Sequence, residues 1–202
     1  MTKYINLILI GFCLLIPSSA GSWGVVGMSG GGASAPAGCT TANDSSQIDP
    51  TASLTYDAVS HSATPTVFLW QSFTTVGAIT VTRVDAYVQD GGANGDFTVE
   101  IYSDNAGSPN AIVAVGAIGT VGNAAIQPTT PEWITFNLTT PCDLSATTVY
   151  HVVMKGVGTG ASFAWGEDST GGYSGGGAGY YSGGWGPYTG EDFMCVVWGC
   201  AI

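Results

Sequence analysis

The chain has 202 residues, enough for one ordinary domain plus extensions, and only 8% of them are charged, against about 25% in an average soluble domain. Its net charge of −11, from 3 Lys+Arg against 14 Asp+Glu, excludes nucleic acid and anionic membrane surfaces as partners, because both would repel it. A hydrophobic share of 45% excludes a disordered chain, and 31 glycines among many Thr, Ser, Val and Ala favour β-structure with tight turns.

The first twenty residues read as a secretory signal peptide. "MTKY" carries one Lys, "INLILIGFCLLIP" is the apolar core, and Ser18 and Ala20 supply the small residues for cleavage after Ala20. The apolar run is too short for a good stop-transfer helix, so no membrane span is expected after cleavage. The expected location is therefore extracellular or at the cell surface. Residues 21–38, "GSWGVVGMSGGGASAPAG", read as a glycine-rich extension, and "WGVV" within it has strand character. The folded domain is expected to span 39–202.

From Cys39 onward the pattern is β throughout. "TVFLWQSF" (Thr66–Phe73) is strand-like. In "AITVTRVDAYVQ" (Ala78–Gln89), Ile79 and Val81 keep one phase and Val84, Ala86 and Val88 the other, a parity switch that predicts a bulge near Arg83. "DFTVEIYS" alternates, with Phe97, Val99 and Ile101 inward and Thr98, Glu100 and Tyr102 outward. "AIVAVGAI" reads as a weaker strand. "EWITFNL" puts Ile134, Phe136 and Leu138 on one face. "TVYHVVMK" opposes Tyr150, Val152 and Met154 to His151, Val153 and Lys155. "SFAWG", "AGYYS" and "EDFMCVVWG" complete the set. "DGGANGD", "DNAGSPN" and "TTPCDLSATT" carry turn signals. Many short strands without helical periodicity predict an all-β antiparallel sandwich or barrel, with two sheets sharing a core.

Four cysteines remain after signal cleavage: Cys39, Cys142, Cys195 and Cys200. In an oxidising compartment an even set points to disulfides. Cys195 and Cys200 share one predicted strand at an odd offset, so they face opposite ways and lie too far apart to bond each other. The expected pairs are Cys39–Cys200, tying the domain ends, and Cys142–Cys195 across the core. The swap, Cys39–Cys195 with Cys142–Cys200, stays open. Zinc is disfavoured, because C-x-x-C is lacking and the two histidines lie far off in sequence.

The order "QSFTTVGAITVTRVDAYVQ", "GDFTVEIYSDNAGSPN", "EWITFNLTTPCDLSATTVYHVVM", "WGEDSTGGY" and "GGW…EDFMCVVWG" resembles the bacterial secreted β-sandwich domains called choice-of-anchor domains, which are similar to carbohydrate-binding jelly rolls. The resemblance covers about Gln71 to Gly199. It implies a jelly-roll sandwich, export, and surface attachment or display. It carries no catalytic residues.

The residues themselves offer little catalytic chemistry. His61 lies between Ser60 and Ser62, but neighbours in an extended chain point apart, and His151 reads as a strand-face residue. Glu167–Asp168 and Glu191–Asp192 are paired acids of the kind glycoside hydrolysis needs, though loop acids at strand ends have the same pattern. "SGGGAS" lacks the Lys and helix of a phosphate loop. No catalytic role is expected.

Structural calcium is the one cofactor the loops suit, at Asp90, Asn94 and Asp96 in "DGGANGD", with Asp104 and Asn105 as a second pair of hard ligands. Aromatics crowd the C-terminal half. Trp165, Tyr173, Tyr181, Trp185 and Tyr188 are the candidate ligand-binding residues, because aromatic faces stack on sugar rings. Tyr180 and Tyr181 are consecutive, so one should face out. The stretch "TGGYSGGGAGYYSGGWGPYTG" reads as a glycine-rich turn (Gly171–Gly177), a strand around Tyr180, a tight Gly183–Gly184 turn and a Trp185-bearing loop. Together these features suit a secreted, non-catalytic surface protein with a structural or adhesive role, self-associating into an oligomer or filament through residues 21–38. The alternative is a carbohydrate-binding module. A glycan or another subunit is the expected partner.

Overall fold

The structure is a computed structural model, and it describes residues 40–41, 62–64, 66–91, 95–122, 131–158, 161–168 and 176–202. The signal peptide, the 21–38 extension, Cys39, His61, Asn94 and Tyr173 lie outside the described residues. Among the described residues there is no helix, and so none long and apolar enough to cross a membrane.

The strands are β1 (Thr40–Thr41), β2 (Ser62–Ala63), β3 (Phe68–Thr74), β4 (Ile79–Asp90), β5 (Asp96–Asn105), β6 (Ser108–Ile112), β7 (Ile118–Val121) and β8 (Glu132–Leu144). They continue with β9 (Val149–Val157), β10 (Phe163–Trp165), β11 (Glu167–Asp168), β12 (Ala178–Tyr181), β13 (Trp185–Pro187), β14 (Asp192–Phe193) and β15 (Cys195–Ala201). The fold is all-β, and every pairing is antiparallel. The hydrogen-bonded path runs β1-β15-β4-β8-β7-β5-β9-β3-β12-β13. Strand β10 joins β4 and β2, β6 joins β5, and β11 pairs with β14.

The path folds over so that its two halves share one apolar core, a sandwich-like arrangement. Val84, Ala86 and Val88 of β4 and Phe136 of β8 bury against Val99 and Ile101 of β5 and Val152 and Met154 of β9. Phe97 of β5 meets Phe163 of β10, a strand paired with β4, edge to face at 4.9 Å. The alternation in β5 and β9 places these residues inward, as period-2 patterning requires.

The parity switch in β4 is a bulge at Thr82. The register slips between Val81 and Arg83 against β8 and between Trp198 and Gly199 against β15. The extra residue returns Val84 to the face that Val81 occupies, so both are fully buried.

The structure alters two expectations about the chain's covalent and local order. "AIVAVGAI" is not one strand: β6 ends at Ile112 and β7 begins at Ile118. Gly116 turns between them at φ 90°, which leaves Val115 almost fully exposed. The Cys142–Cys195 bond is not formed, and both residues are buried free thiols. Cys142 sits beside Val81 and Cys195 beside Ala86, on opposite sides of β4. That separates them by about 10 Å across the sheet and about 16 Å along it, well beyond the roughly 7 Å a disulfide spans.

Candidate functional site

One face of the strands β5, β9, β3, β12 and β13 points away from the core. Register assigns its side chains. Trp185 opposes Tyr181, Tyr181 opposes Phe68, and Gly179 opposes Trp70. Ser72 opposes His151, His151 opposes Tyr102, and Val153 opposes Glu100. Trp70, His151, Val153 and Glu100 are nevertheless buried. The cover comes from curvature: the ring of Trp185 on β13 reaches that of Tyr102 on β5 at 6.2 Å. Gly179 makes this approach feasible, since a Cβ there would overlap the Trp70 ring and the Gly186 carbonyl.

The rim of this concave face is aromatic. Phe68 and Tyr181 stack at 5.3 Å and 12°. Tyr181 and Trp185 meet at 4.8 Å and 59°, and Trp185 and Tyr102 at 71°. All of these rings are half-buried. Beside them Lys155 Nζ donates to Glu100 Oε1 at 2.5 Å and lies 5.6 Å from the centre of the Phe68 ring. Tyr102 Oη–H donates to Glu100 Oε2 at 2.9 Å. Burial, followed by that hydrogen bond and the Glu100 charge, raises the Tyr102 pKa well above its ordinary value, so the phenol stays protonated and a donor.

Behind the rim lies a set of side chains that matches a serine hydrolase by residue type alone. His151 Nε2–H donates to Asp104 Oδ1 at 2.8 Å, and Ser72 is the cross-strand neighbour of His151. The geometry opposes catalysis. The Ser72 hydroxyl donates to the Gly177 carbonyl at 3.0 Å and accepts from the Gly177 amide at 2.6 Å. His151 is fully buried, and its Nδ1 has no hydrogen-bond partner among the described residues. Desolvation lowers its pKa against the opposing pull of Asp104, so the ring is neutral near pH 7. A base needs a reachable substrate proton, and a nucleophile needs that base as its partner. Neither condition holds here.

The expected ligand-binding residues separate into two groups. Tyr181 and Trp185 are on the rim. Trp165 is not exposed: it is buried, stacked on Phe193 at 4.8 Å and 11°, with Nε1–H donating to the Met194 carbonyl at 2.9 Å. Tyr188 leans on the core between Tyr180 at 5.1 Å and Phe193 at 6.1 Å, and burial raises its pKa to about 12. Tyr180 faces inward with it, and Tyr181 faces out. Phe68 and Tyr102 are further rim residues, which aromatic clustering in the C-terminal half does not point to. Their signal was the outward phase of "TVFLW" and "TVEIY", which marks exposure but does not bring two distant strands together.

The acids serve other ends. Asp192 Oδ1 accepts from Gln71 Nε2 at 3.2 Å, while Gln71 Oε1 accepts the Phe193 amide at 2.7 Å. Glu167 is buried opposite Phe193. Of the calcium candidates, Asp90 is buried at the end of β4 and Asp96 is exposed at the start of β5. Among the described residues no group of three or more His, Cys, Asp or Glu side chains converges on a metal position. Asp104 accepts from the Gly107 amide at 3.0 Å as well as from His151, so it holds the "DNAG" turn. No protein-family model matches this sequence, and no curated protein matches it either.

Proposed function

We propose that this protein is a secreted, non-catalytic surface protein with an adhesive role, built on a jelly-roll sandwich. The observation that carries the reading is the half-exposed aromatic rim of Phe68, Tyr181, Trp185 and Tyr102 on a concave sheet face. Rigid rings held by a β scaffold offer contact area at little entropic cost. The locked hydroxyl of Ser72 and the buried imidazole of His151 support the non-catalytic part.

Export is consistent with a Cys39–Cys200 disulfide, which closes the domain ends. Thr40 pairs with Gly199 and Thr41 with Trp198, so the two residues that follow Cys39 in sequence pair with the strand that carries Cys200. Cys200, unlike Cys142 and Cys195, is not a free thiol. β1, the first described strand, lies on a sheet edge, where an added strand from a second copy has a ladder to join.

The adhesive reading is tested with beads coated with the full mature chain and settled on intact cells or cell envelopes. Coated beads should resist detachment by flow several-fold better than bare beads. Equal retention would rule the reading out. A second reading, a carbohydrate-binding module, is favoured by the same aromatic rim.

A further inference from the structure

The charges around the rim restrict what it can hold. Lys155 is committed to Glu100 and to the face of Phe68. Arg83, the other described cation, is committed to Asp85 at 3.1 Å and to the face of Trp198 at 4.8 Å. The third of the 3 Lys+Arg is Lys3, inside the predicted signal peptide. An anionic ligand therefore meets no uncommitted cation among the described residues and a chain of net charge −11. What the rim does offer is ring faces turned through 12°, 59° and 71° along the row, with the Glu100 carboxylate and the Lys155 ammonium beside them. Aromatic faces accept the C–H side of a sugar ring.

We propose that the wall formed by Phe68, Tyr181, Trp185 and Tyr102 binds a neutral polysaccharide, a polymer of uncharged sugar rings. The proposal rests on the adhesive reading and names the ligand class of that surface. Trp185 and Tyr181 supply the stacking faces, with Phe68 and Tyr102 completing the wall. Because no net charge is exchanged, binding is insensitive to salt.

Affinity electrophoresis of the mature chain tests this, in gels containing mixed-linkage glucan, xylan, galactomannan or dextran, and in parallel gels of polygalacturonate. At least one neutral polymer should retard the protein, equally at low and high salt. Trp185→Ala and Tyr181→Leu should each weaken that retardation about tenfold or more, as loss of a stacked ring does. Trp133→Ala, on the outward face of β8 beside Tyr87, should leave it unchanged. Tyr181→Leu keeps an apolar side chain at the site, so it remains informative if Trp185→Ala unfolds. The proposal fails if no neutral polymer retards the protein, if the rim variants run like the parent, or if polygalacturonate binds more tightly. Failed retardation with bead adhesion intact removes the ligand class and leaves the adhesive reading; loss of both removes both.

Discussion

The indole of Trp185 stands edge-on to the ring of Tyr102, 6.2 Å between centroids at 71°. Four strand spacings separate β13 from β5 along the hydrogen-bonded path. In a flat sheet those spacings amount to about 19 Å. The contact therefore measures how far the sheet curls, and it turns an outward face into a concavity with Trp70, His151 and Val153 at its base. In a double-mutant cycle on Trp185→Ala and Tyr102→Ala, urea unfolding should give a coupling of about 1 kcal/mol, the usual worth of an aromatic pair. Additive losses would mean that the rings touch without holding the curl.

Gly179 tests the same curl from inside. A Cβ there has no room beside the Trp70 ring and the Gly186 carbonyl, whereas one at Gly184 meets nothing within 4 Å. Gly179→Ala should cost about 1–3 kcal/mol, the range for overpacking. Gly184→Ala should change stability by well under that. Equal thermal shifts for the two variants would contradict the close approach of β12 to Trp70.

Asp85 is buried yet ionisable, and its burial is made tolerable by three donors. Arg83 Nη2 lies at 3.1 Å, the Thr135 hydroxyl at 2.7 Å and the Trp198 indole N–H at 2.5 Å. Asp85→Ala removes the shared acceptor of the half-buried Arg83 guanidinium, the Thr135 hydroxyl and the Trp198 N–H, and should cost about 3–5 kcal/mol in denaturant unfolding. Trp198→Phe removes one donor and should cost less, about 1–3 kcal/mol. A near-neutral Asp85→Ala variant would contradict this network.

His151 makes stability depend on pH. Burial lowers its pKa below the ordinary 6.5, despite Asp104. As pH falls, the unfolded chain takes up this proton before the folded chain does. Stability from this site is thus complete above about pH 6.5 and declines as pH drops through the lowered folded value. Melting temperatures followed from about pH 8 down to about pH 5 should fall in the parent and fall less in His151→Gln, which cannot titrate. Parallel curves would show that the imidazole titrates alike in the folded and unfolded chain, contradicting the effect of burial.

Thiol labelling separates the two classes of cysteine. Burial raises the Cys142 pKa to about 11 and that of Cys195 further still, so neither thiol should react in the native chain. After unfolding without reductant, the mature chain should expose Cys142 and Cys195 alone. Labelling of Cys39 or Cys200 under those conditions would remove the proposed end-to-end disulfide.

Much of the fold was legible because strand period is a local property. The alternation in "DFTVEIYS" and "TVYHVVMK" separated the two faces of each strand, although Thr98, Glu100, His151 and Val153 on the second face are buried too, and the parity switch in "AITVTRVDAYVQ" located the bulge to within a residue. The rim was only half legible. Tyr181 and Trp185 stood out by composition, but so did Trp165 and Tyr188, and nothing local distinguishes an aromatic that stacks on Phe193 from one that faces solvent. The Cys142–Cys195 pairing failed for a related reason: spacing along the chain does not reveal that β4 runs between them.

By itself, then, the sequence determined most of the strands, the division of their faces, the acidic balance and the scarcity of positive charge, since these follow from residue type and a period of two. Tertiary structure decided which faces meet. The curl that brings Trp185 to Tyr102, and the depth at which His151 and Asp104 pair, depend on contacts between residues far apart in the chain. Sheet curvature and burial are properties of the assembled strands, and no single strand carries them.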